Sequence, residues 1–232
     1  MAIITRTLTL NQTIYLINSC YPNYSFHKYS GKPATYCYYH SQHFIKHIVK
    51  TTYLMALKAT IYKANIELAN MDQNYYDSLQ LTIAQHPSET EQRLMVRLIC
   101  FILNAHPDLK FGKGVSDEDE AAIWQINYSD EISLWIELGQ LDEKRIKKAC
   151  NKAAKVKLYC YGSSANTWWS QTQSTLQNYP KLSIEQFDTT TTSELVKLLN
   201  RNMEFQCSIQ DGQLWLTAGD ETLLIETHTL KS

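Results

Sequence analysis

Residues 132–161 restrict the fold of this chain more than any other segment. The apolar stretch 132–138 predicts a buried strand, and 156–161 predicts another. Between them, 142–154 has the apolar spacing of a helix, with its acidic residues in the first turn, as the helix dipole favours. A strand, helix and strand in this order imply parallel pairing with a right-handed crossover, so we predict a mixed α/β fold.

The residues that flank this unit continue the alternation of strands and helices. Leu57, Ala59 and Ile61 are expected on the buried face of a first strand that continues to residue 68. Ser88 with Glu91 is expected to form the capping box of a helix, and the apolar spacing from Leu94 to Ala105 predicts that this helix is substantially buried. The further predicted strands lie at 78–84, 123–127, 182–187, 205–209, 214–217 and 223–227, and further helices lie around Trp168 and at 193–200. These elements predict one mixed α/β domain.

Residues 1–54 differ from the rest because they contain no Asp or Glu. The other 178 residues carry 17 basic and 23 acidic side chains, a net charge of −6. A transit peptide would be rich in arginine, whereas this stretch has one, and Arg6 interrupts the only apolar start that a secretory signal could use. We expect a poorly ordered extension translated from a mis-assigned start, ahead of a functional domain at residues 55–232.

The six cysteines and the hydropathy pattern bear on location. No C-x-x-C motif and no Cys/His spacing typical of zinc occurs, so reduced structural thiols of a cytoplasmic protein are expected. No segment approaches the roughly 20 apolar residues of a membrane helix, so no membrane partner is expected.

Carboxylates near two neighbouring predicted strands are the strongest candidates for chemistry. The acidic run 117–120 precedes one strand, and Glu137 lies inside the next, where an ionised side chain is costly unless it is paired or binds a metal. Converging carboxylates would bind Mg²⁺ or Mn²⁺, which can activate water for phosphodiester hydrolysis. The alternative interpretation of the acidic run 117–120 is a solvated loop. Glu89 is either another metal ligand or an acid that interacts favourably with the dipole of its helix.

The helix after Glu137 offers basic partners. Arg145 lies roughly 90° from the centre of the apolar stripe of this helix, whereas Lys148 lies on roughly the opposite side. We therefore expect Arg145 to reach a site at the sheet edge and Lys148 to be solvated. Together with the other lysines of the segment, Lys144, Lys147, Lys152, Lys155 and Lys157, these two residues are expected to form a local basic patch.

Five motifs, in order, resemble the bacterial YaeQ family. They are MALKATIYKA at 55–64, HPSET at 86–90, LWIELG at 134–139, RIKKA at 145–149 and IQDGQLW at 209–215. The resemblance covers residue 55 to nearly the C-terminus and none of residues 1–54. It implies a compact PD-(D/E)XK nuclease-like fold, with a central mixed β-sheet flanked by helices.

In that superfamily, acids on neighbouring strands hold a divalent cation, and a lysine polarises water or the scissile phosphate. The resemblance implies that Glu137 is the motif acid and that Asp119, Glu120 and Glu89 are further metal ligands. Gly139 stands where the motif lysine would be, so Arg145 or Lys148 would have to replace it.

Two functions are compatible with these residues. One is a metal-dependent phosphodiesterase of nuclease type that acts on nucleic acid with Mg²⁺ or Mn²⁺. The other is a non-catalytic binding or scaffold protein that keeps the fold. The net charge of −6 disfavours tight sequence-independent binding, because such affinity comes from Lys and Arg contacts to phosphate, but the basic patch partly offsets it.

The composition of residues 1–54 leads to a first prediction. A chain that begins at Met55 should keep its melting temperature within a few degrees of that of the full chain, because the extension is expected to pack little against the domain. Thermal unfolding of both proteins tests this, and loss of soluble protein on truncation would contradict it.

Overall fold

The structure, a computed structural model, describes residues 59–113 and 119–232, so the expectations for residues 1–54 lie outside it. The helices in this part are α1 (Glu91–Leu103), α2 (Glu143–Lys152), α3 (Ala165–Leu176) and α4 (Thr189–Lys197). The strands are β1 (Thr60–Asn70), β2 (Tyr75–Gln85), β3 (Leu109–Phe111), β4 (Ile123–Ile126), β5 (Ile132–Leu138), β6 (Ala153–Cys160), β7 (Leu182–Phe187), β8 (Asn202–Gln210), β9 (Gln213–Ala218), β10 (Glu221–Ile225) and β11 (Thr227–Lys231).

The strands form two mixed sheets. Sheet A has the order β10-β9-β8-β1-β2, with β1 parallel to β8, and sheet B has the order β11-β7-β6-β5-β4-β3. In sheet B, β5, β6 and β7 run parallel, which confirms the predicted β-α-β unit. The strand predicted at 223–227 is instead two strands, because the chain leaves sheet A at Ile225 and enters sheet B at Thr227. The mixed α/β class is confirmed.

Helix α1 is the centre of the fold. Nine consecutive residues, Leu94–Ile102, are buried, which requires neighbours on every side. They form one core with the inner side chains of sheet A and with one face of sheet B. The other face of sheet B forms a second core with α2 and α3. No described helix is long and apolar enough to cross a membrane.

A buried charged cluster lies at the start of α1. Arg97 is 2% exposed, and its Nη2 donates to Glu89 Oε2 and to the Ala84 carbonyl in β2, both at 2.9 Å. Arg93 Nε lies 3.8 Å from Glu89 Oε1, and its Nη1 donates to the Leu138 carbonyl in β5 at 3.0 Å. The cluster therefore connects α1 to both sheets.

The start of α1 differs from the predicted capping box. Thr90, not Ser88, is the N-cap, and its hydroxyl accepts a hydrogen bond from the Arg93 amide at 3.2 Å. Ser88 Oγ instead lies 2.6 Å from His86 Nδ1. Glu89 thus precedes the helix rather than lying in its first turn, and it points inward because Arg97 binds it.

The buried face of β1 was predicted wrongly. Ile61 is 47% exposed, whereas Tyr62, Ala64, Ile66 and Leu68 face the core. Apolar residues occupy both faces at the start of this strand, so local alternation does not decide between them. Contact with α1 does, because the face that carries Tyr62, Ala64, Ile66 and Leu68 belongs to the core around that helix. Helix α4 also begins four residues earlier than predicted, at Thr189 after Asp188.

The four cysteines in the described ranges are free and buried, as expected of structural thiols: Cys100, Cys150, Cys160 and Cys207. Burial raises the pKa of Cys160 and of Cys207 to about 12, so both stay protonated at neutral pH.

The α1 cluster predicts a large stability effect. Glu89→Gln should lower the free energy of unfolding by about 3 kcal/mol or more, because Arg97 would keep its charge in the core without a counter-charge. Glu194→Gln, which removes an exposed partner of Lys197 on α4, is the control and should cost less than about 1 kcal/mol. Urea unfolding of both variants measures the difference, and equal losses would contradict a stabilising role of the buried pair.

Candidate functional site

Glu137 lies near the end of β5 and is 2% exposed. Its Oε1 accepts hydrogen bonds from Trp135 Nε1 at 2.9 Å and from Arg145 Nε and Nη2 at 3.1 and 2.7 Å. Burial raises the pKa of Glu137, and the charge of Arg145 and the hydrogen bond from Trp135 oppose that increase. The carboxylate is therefore a paired group in a buried strand.

Local structure brings these two side chains together. Strand alternation directs Leu134, Ile136 and Leu138 toward the α1 core, which leaves Glu137 on the opposite face, toward α2. Gly139, at φ +93°, then turns the chain in a conformation that other residues rarely adopt. The side chain of Asp142 caps α2 by accepting the Arg145 amide hydrogen bond at 2.8 Å, so Arg145 lies in the first turn, beside Glu137.

The residues before β4 lie beside the same helix. Arg145 Nη2 also donates to the Glu120 carbonyl at 3.1 Å, while the Glu120 carboxylate contacts Lys113 Nζ at 2.6 Å. Asp119 Oδ1 contacts Lys148 Nζ at 2.6 Å and lies 3.6 Å from Lys152 Nζ. The hydrogen bond from Lys148 lowers the pKa of Asp119. Of the acidic run, Asp117 and Glu118 lie outside the described residues.

Glu89 does not share this site. It belongs to the α1 cluster, on the opposite face of sheet B from Glu137. The arrangement follows from the two-residue period of β5, since Leu138 turns toward α1 where Glu137 turns toward α2. The structure therefore brings Asp119, Glu120 and Glu137 to α2 and separates Glu89 from them.

The donor set can be compared with what a divalent cation requires. Mg²⁺ and Mn²⁺ are held by several converging oxygen ligands. Within residues 59–113 and 119–232, no three His, Cys, Asp or Glu side chains are grouped to hold a metal ion. Each of the four candidate acids contacts a lysine or arginine instead. As arranged, these donors do not fit a cation, and the metal site stays a prediction that requires the ion pairs to open.

The two candidate basic residues occupy different places. Arg145 has reached the sheet edge, as its angle on the helix predicts, and its side chain is 24% exposed. Lys148 contacts the exposed carboxylate of Asp119 and is 36% exposed. Their roles in any reaction stay a prediction.

The predicted basic patch divides into two parts. Lys144, Arg145, Lys147, Lys148 and Lys152 belong to α2. Lys155 and Lys157 belong to β6, where Lys157 Nζ lies 3.6 Å from Glu185 Oε1. In register, Lys157 pairs with Ile136 and therefore shares the α1 face of sheet B. The two-residue period of β6 was visible in the sequence, and it predicts that Lys155 and Lys157 lie on the sheet face opposite α2.

Sequence reasoning missed three polar side chains of these clusters. Trp135 donates to Glu137 from two residues away, which strand alternation places on the same face. Arg93 and Arg97 follow Glu89 at intervals of four and eight residues, the spacing of neighbours on one helical face. Both signals were present in the sequence.

The comparisons with known proteins agree with this architecture. The model of the YaeQ protein family matches residues 55–227. The chain belongs to the YaeQ family. It is 44% identical to "Uncharacterized protein YaeQ" of Salmonella typhi over 173 residues, 74% of this chain and 96% of the relative. It is also 44% identical to the Escherichia coli K12 protein of the same description over 164 residues, 70% of this chain and 91% of that relative.

Two solved YaeQ structures share the fold. The protein from Xanthomonas axonopodis pv. citri is 38% identical, with a TM-score of 0.72, and the match covers 75% of this chain and 99% of that one. The protein from Pseudomonas syringae is 30% identical, also with a TM-score of 0.72, and the match covers 75% of this chain and 97% of that one. The resemblance to the YaeQ family noted in the sequence is therefore confirmed.

The Glu137–Arg145 pair leads to a stability prediction. Arg145→Met should lower the free energy of unfolding by about 3 kcal/mol at neutral pH, because Glu137 would stay buried without its counter-charge. Losing Arg145 raises the folded-state pKa of Glu137 further. The variant should therefore regain stability as the pH falls below this raised pKa toward the unfolded value.

Lys148→Met is the matched control on the same helix, because its partner Asp119 is 75% exposed. Its loss of stability should be much smaller than that of Arg145→Met, because water screens an exposed ion pair. Urea unfolding between pH 4 and pH 8 measures both variants. A loss in Arg145→Met that does not change with pH would show that Glu137 is not the group that depends on it.

Proposed function

We propose that this YaeQ-family chain is a non-catalytic protein that binds nucleic acid through the outer face of α2. The observation that supports the proposal is the distribution of charge around this helix. Basic side chains occupy its solvent face, while the carboxylates expected to hold metal contact lysines and arginines.

Four lysines occupy the solvent-facing half of α2. Ile146, Ala149 and Cys150 define the buried side of the helix. With a period of 3.6 residues, Lys144 and Lys148 lie roughly opposite this side, and Lys147 and Lys152 flank them, one on each side. The eight-residue interval that the four lysines span corresponds to about 12 Å along the axis. Cations spread over this length can contact neighbouring phosphates of a nucleic-acid backbone.

Two of these lysines form ion pairs with a carboxylate that a phosphate group of the ligand can replace. Lys148 and Lys152 contact Asp119, which is 75% exposed and therefore costs little to return to water. The net charge of −6 beyond residue 54 opposes approach of a polyanion. Binding should therefore be weak and strongly dependent on salt. With about four phosphate contacts, the logarithm of the affinity for duplex DNA would fall with a slope of roughly −3 to −4 against the logarithm of salt concentration.

A metal-dependent phosphodiesterase of nuclease type is the second candidate. One observation supports this candidate. The guanidinium group of Arg145 donates hydrogen bonds both to the Glu137 carboxylate and to the main-chain carbonyl of Glu120. Release of Arg145 would leave these acidic segments beside each other. The PD-(D/E)XK relationship implied by the sequence motifs would favour this activity over binding alone.

A binding measurement tests the proposal. Fluorescence anisotropy with short labelled duplex DNA and single-stranded RNA should show salt-sensitive binding. The double variant Lys144→Glu/Lys147→Glu should reduce the magnitude of the salt slope by about two or more. Lys197→Glu on the exposed side of α4 is the control and should leave the slope nearly unchanged. Equal effects of both variants, or no binding at low salt, would contradict the proposal.

The same oligonucleotides distinguish the second candidate. Incubated with Mg²⁺ or Mn²⁺, they should stay intact if the protein only binds them. Cleavage that is lost in Glu137→Gln would establish the phosphodiesterase instead. Melting temperatures of wild type and Glu137→Gln, each in EDTA and in Mn²⁺, supply an independent readout, because a wild type indifferent to Mn²⁺ would reject a metal site.

A further inference from the structure

The outer face of sheet A is distinct from the α2 site. Along each strand of this sheet, alternate side chains enter the core around α1, and the intervening ones point away from it. Tyr76, at 63%, and Trp215, at 43%, are among the most exposed large aromatic or apolar side chains of the described residues, and both lie on this outer face.

Strand register places these two aromatic residues in one row. Tyr76 of β2 is opposite Ala69 of β1, Ala69 is opposite Ser208 of β8, and Ser208 is opposite Trp215 of β9. Leu224 of β10 ends the row. Tyr76 and Trp215 are therefore three strand spacings apart, about 14 Å, with two small side chains between them. Because Ala69 and Ser208 are smaller than the aromatic side chains at either end, we call the stretch between Tyr76 and Trp215 the trough.

A second row, made of polar side chains, runs beside the first. It consists of Ser78, Glu67, Gln206, Thr217 and Thr222, which are also opposite one another in register. Ser78 Oγ donates to Glu67 Oε2 at 2.5 Å, and the hydroxyls of Thr217 and Thr222 lie 3.0 Å apart. A surface depression next to Tyr76 is lined by residues of both rows, among them Ala69, Glu67 and Ser78.

From these two rows we infer that the outer face of sheet A binds an uncharged oligosaccharide. Sugar rings have an apolar face of C–H groups, which stacks on exposed aromatic rings, and an edge of hydroxyl groups, which bonds amides, hydroxyls and carboxylates. The aromatic row offers the first kind of contact at both ends of the trough. The polar row offers the second kind along its whole length.

The charges on this face favour a neutral ligand over a nucleic acid. Glu67 is the only ionisable side chain other than Tyr76 in the two rows, and Glu204 lies one row further along β8. Both carboxylates would repel phosphate groups. Lys63 lies four residues before Glu67 on the same face of β1, one row beyond Glu204 and farther from the aromatic side chains. Proteins that bind single-stranded nucleic acid combine aromatic side chains with nearby cations, and the two rows contain no lysine or arginine.

Binding of defined neutral glycans tests this inference. The full chain is titrated with oligosaccharides of glucose, of N-acetylglucosamine and of mannose, and binding is followed by NMR and by calorimetry. At least one series should bind, with affinity that rises with chain length until the ligand spans the trough. Trp215→Ala and Tyr76→Ala should each weaken that binding by about tenfold.

The matched control is Tyr128→Ala, which removes a fully exposed aromatic ring from the turn between β4 and β5. It should leave glycan binding unchanged. All three substitutions are at exposed positions, and melting temperatures should show that each variant is folded.

Three results would overturn the inference. These are no binding of any of the three series at millimolar concentration, equal loss of binding in Tyr128→Ala, or a Trp215→Ala variant that loses affinity for single-stranded RNA instead. The last result would make this face part of a nucleic-acid surface. Because the two surfaces carry different variants, failure here is distinguishable from failure of binding at α2.

Discussion

The buried ion pair between Glu89 and Arg97 is the interaction on which the rest of the structure depends. A helix with nine consecutive buried residues can hold a guanidinium in its middle only if a carboxylate accompanies it. Glu89 supplies that charge. Of the two arginines that Glu89 contacts, Arg97 also donates a hydrogen bond to a carbonyl of β2, and Arg93 donates one to a carbonyl of β5. One carboxylate thereby fixes the position of the central helix between two sheets.

The alternation of β5 then divides the charged residues between two places. Leu138 belongs to the α1 side and Glu137 to the α2 side, so the acids before α1 and at the end of β5 cannot meet across the sheet. Each of the two acids pairs with an arginine of the helix that packs on its own face of the sheet: Glu89 with Arg97 of α1, and Glu137 with Arg145 of α2. The acids that the sequence predicts in one site thus form two sets of ion pairs, and the lysines of α2 lie beside the second set.

Much of the fold and part of the site could be predicted from the sequence. The hydrophobic periods of residues 132–161 determine a β-α-β unit, because a strand and a helix bury different spacings of apolar residues. The helical spacing of apolar residues 94–105 predicts the burial of α1, and the angle of Arg145 from the apolar stripe of α2 predicts that it reaches the sheet edge where Glu137 lies. These features depend on residues close together in the chain, where periodicity and capping act directly.

The tertiary structure alone decided the rest. Strand alternation predicted the wrong buried face of β1, and the packing of sheet A on α1 buries Tyr62 instead of Ile61. The division of residues 221–231 between two sheets leaves no local signal, because both halves have strand patterns. The partner of each carboxylate is also a long-range property. Sequence determined which groups carry charge, but the packing of helices on opposite faces of a sheet decided which charges meet, because a buried carboxylate is stable only beside the donors that the fold brings to it.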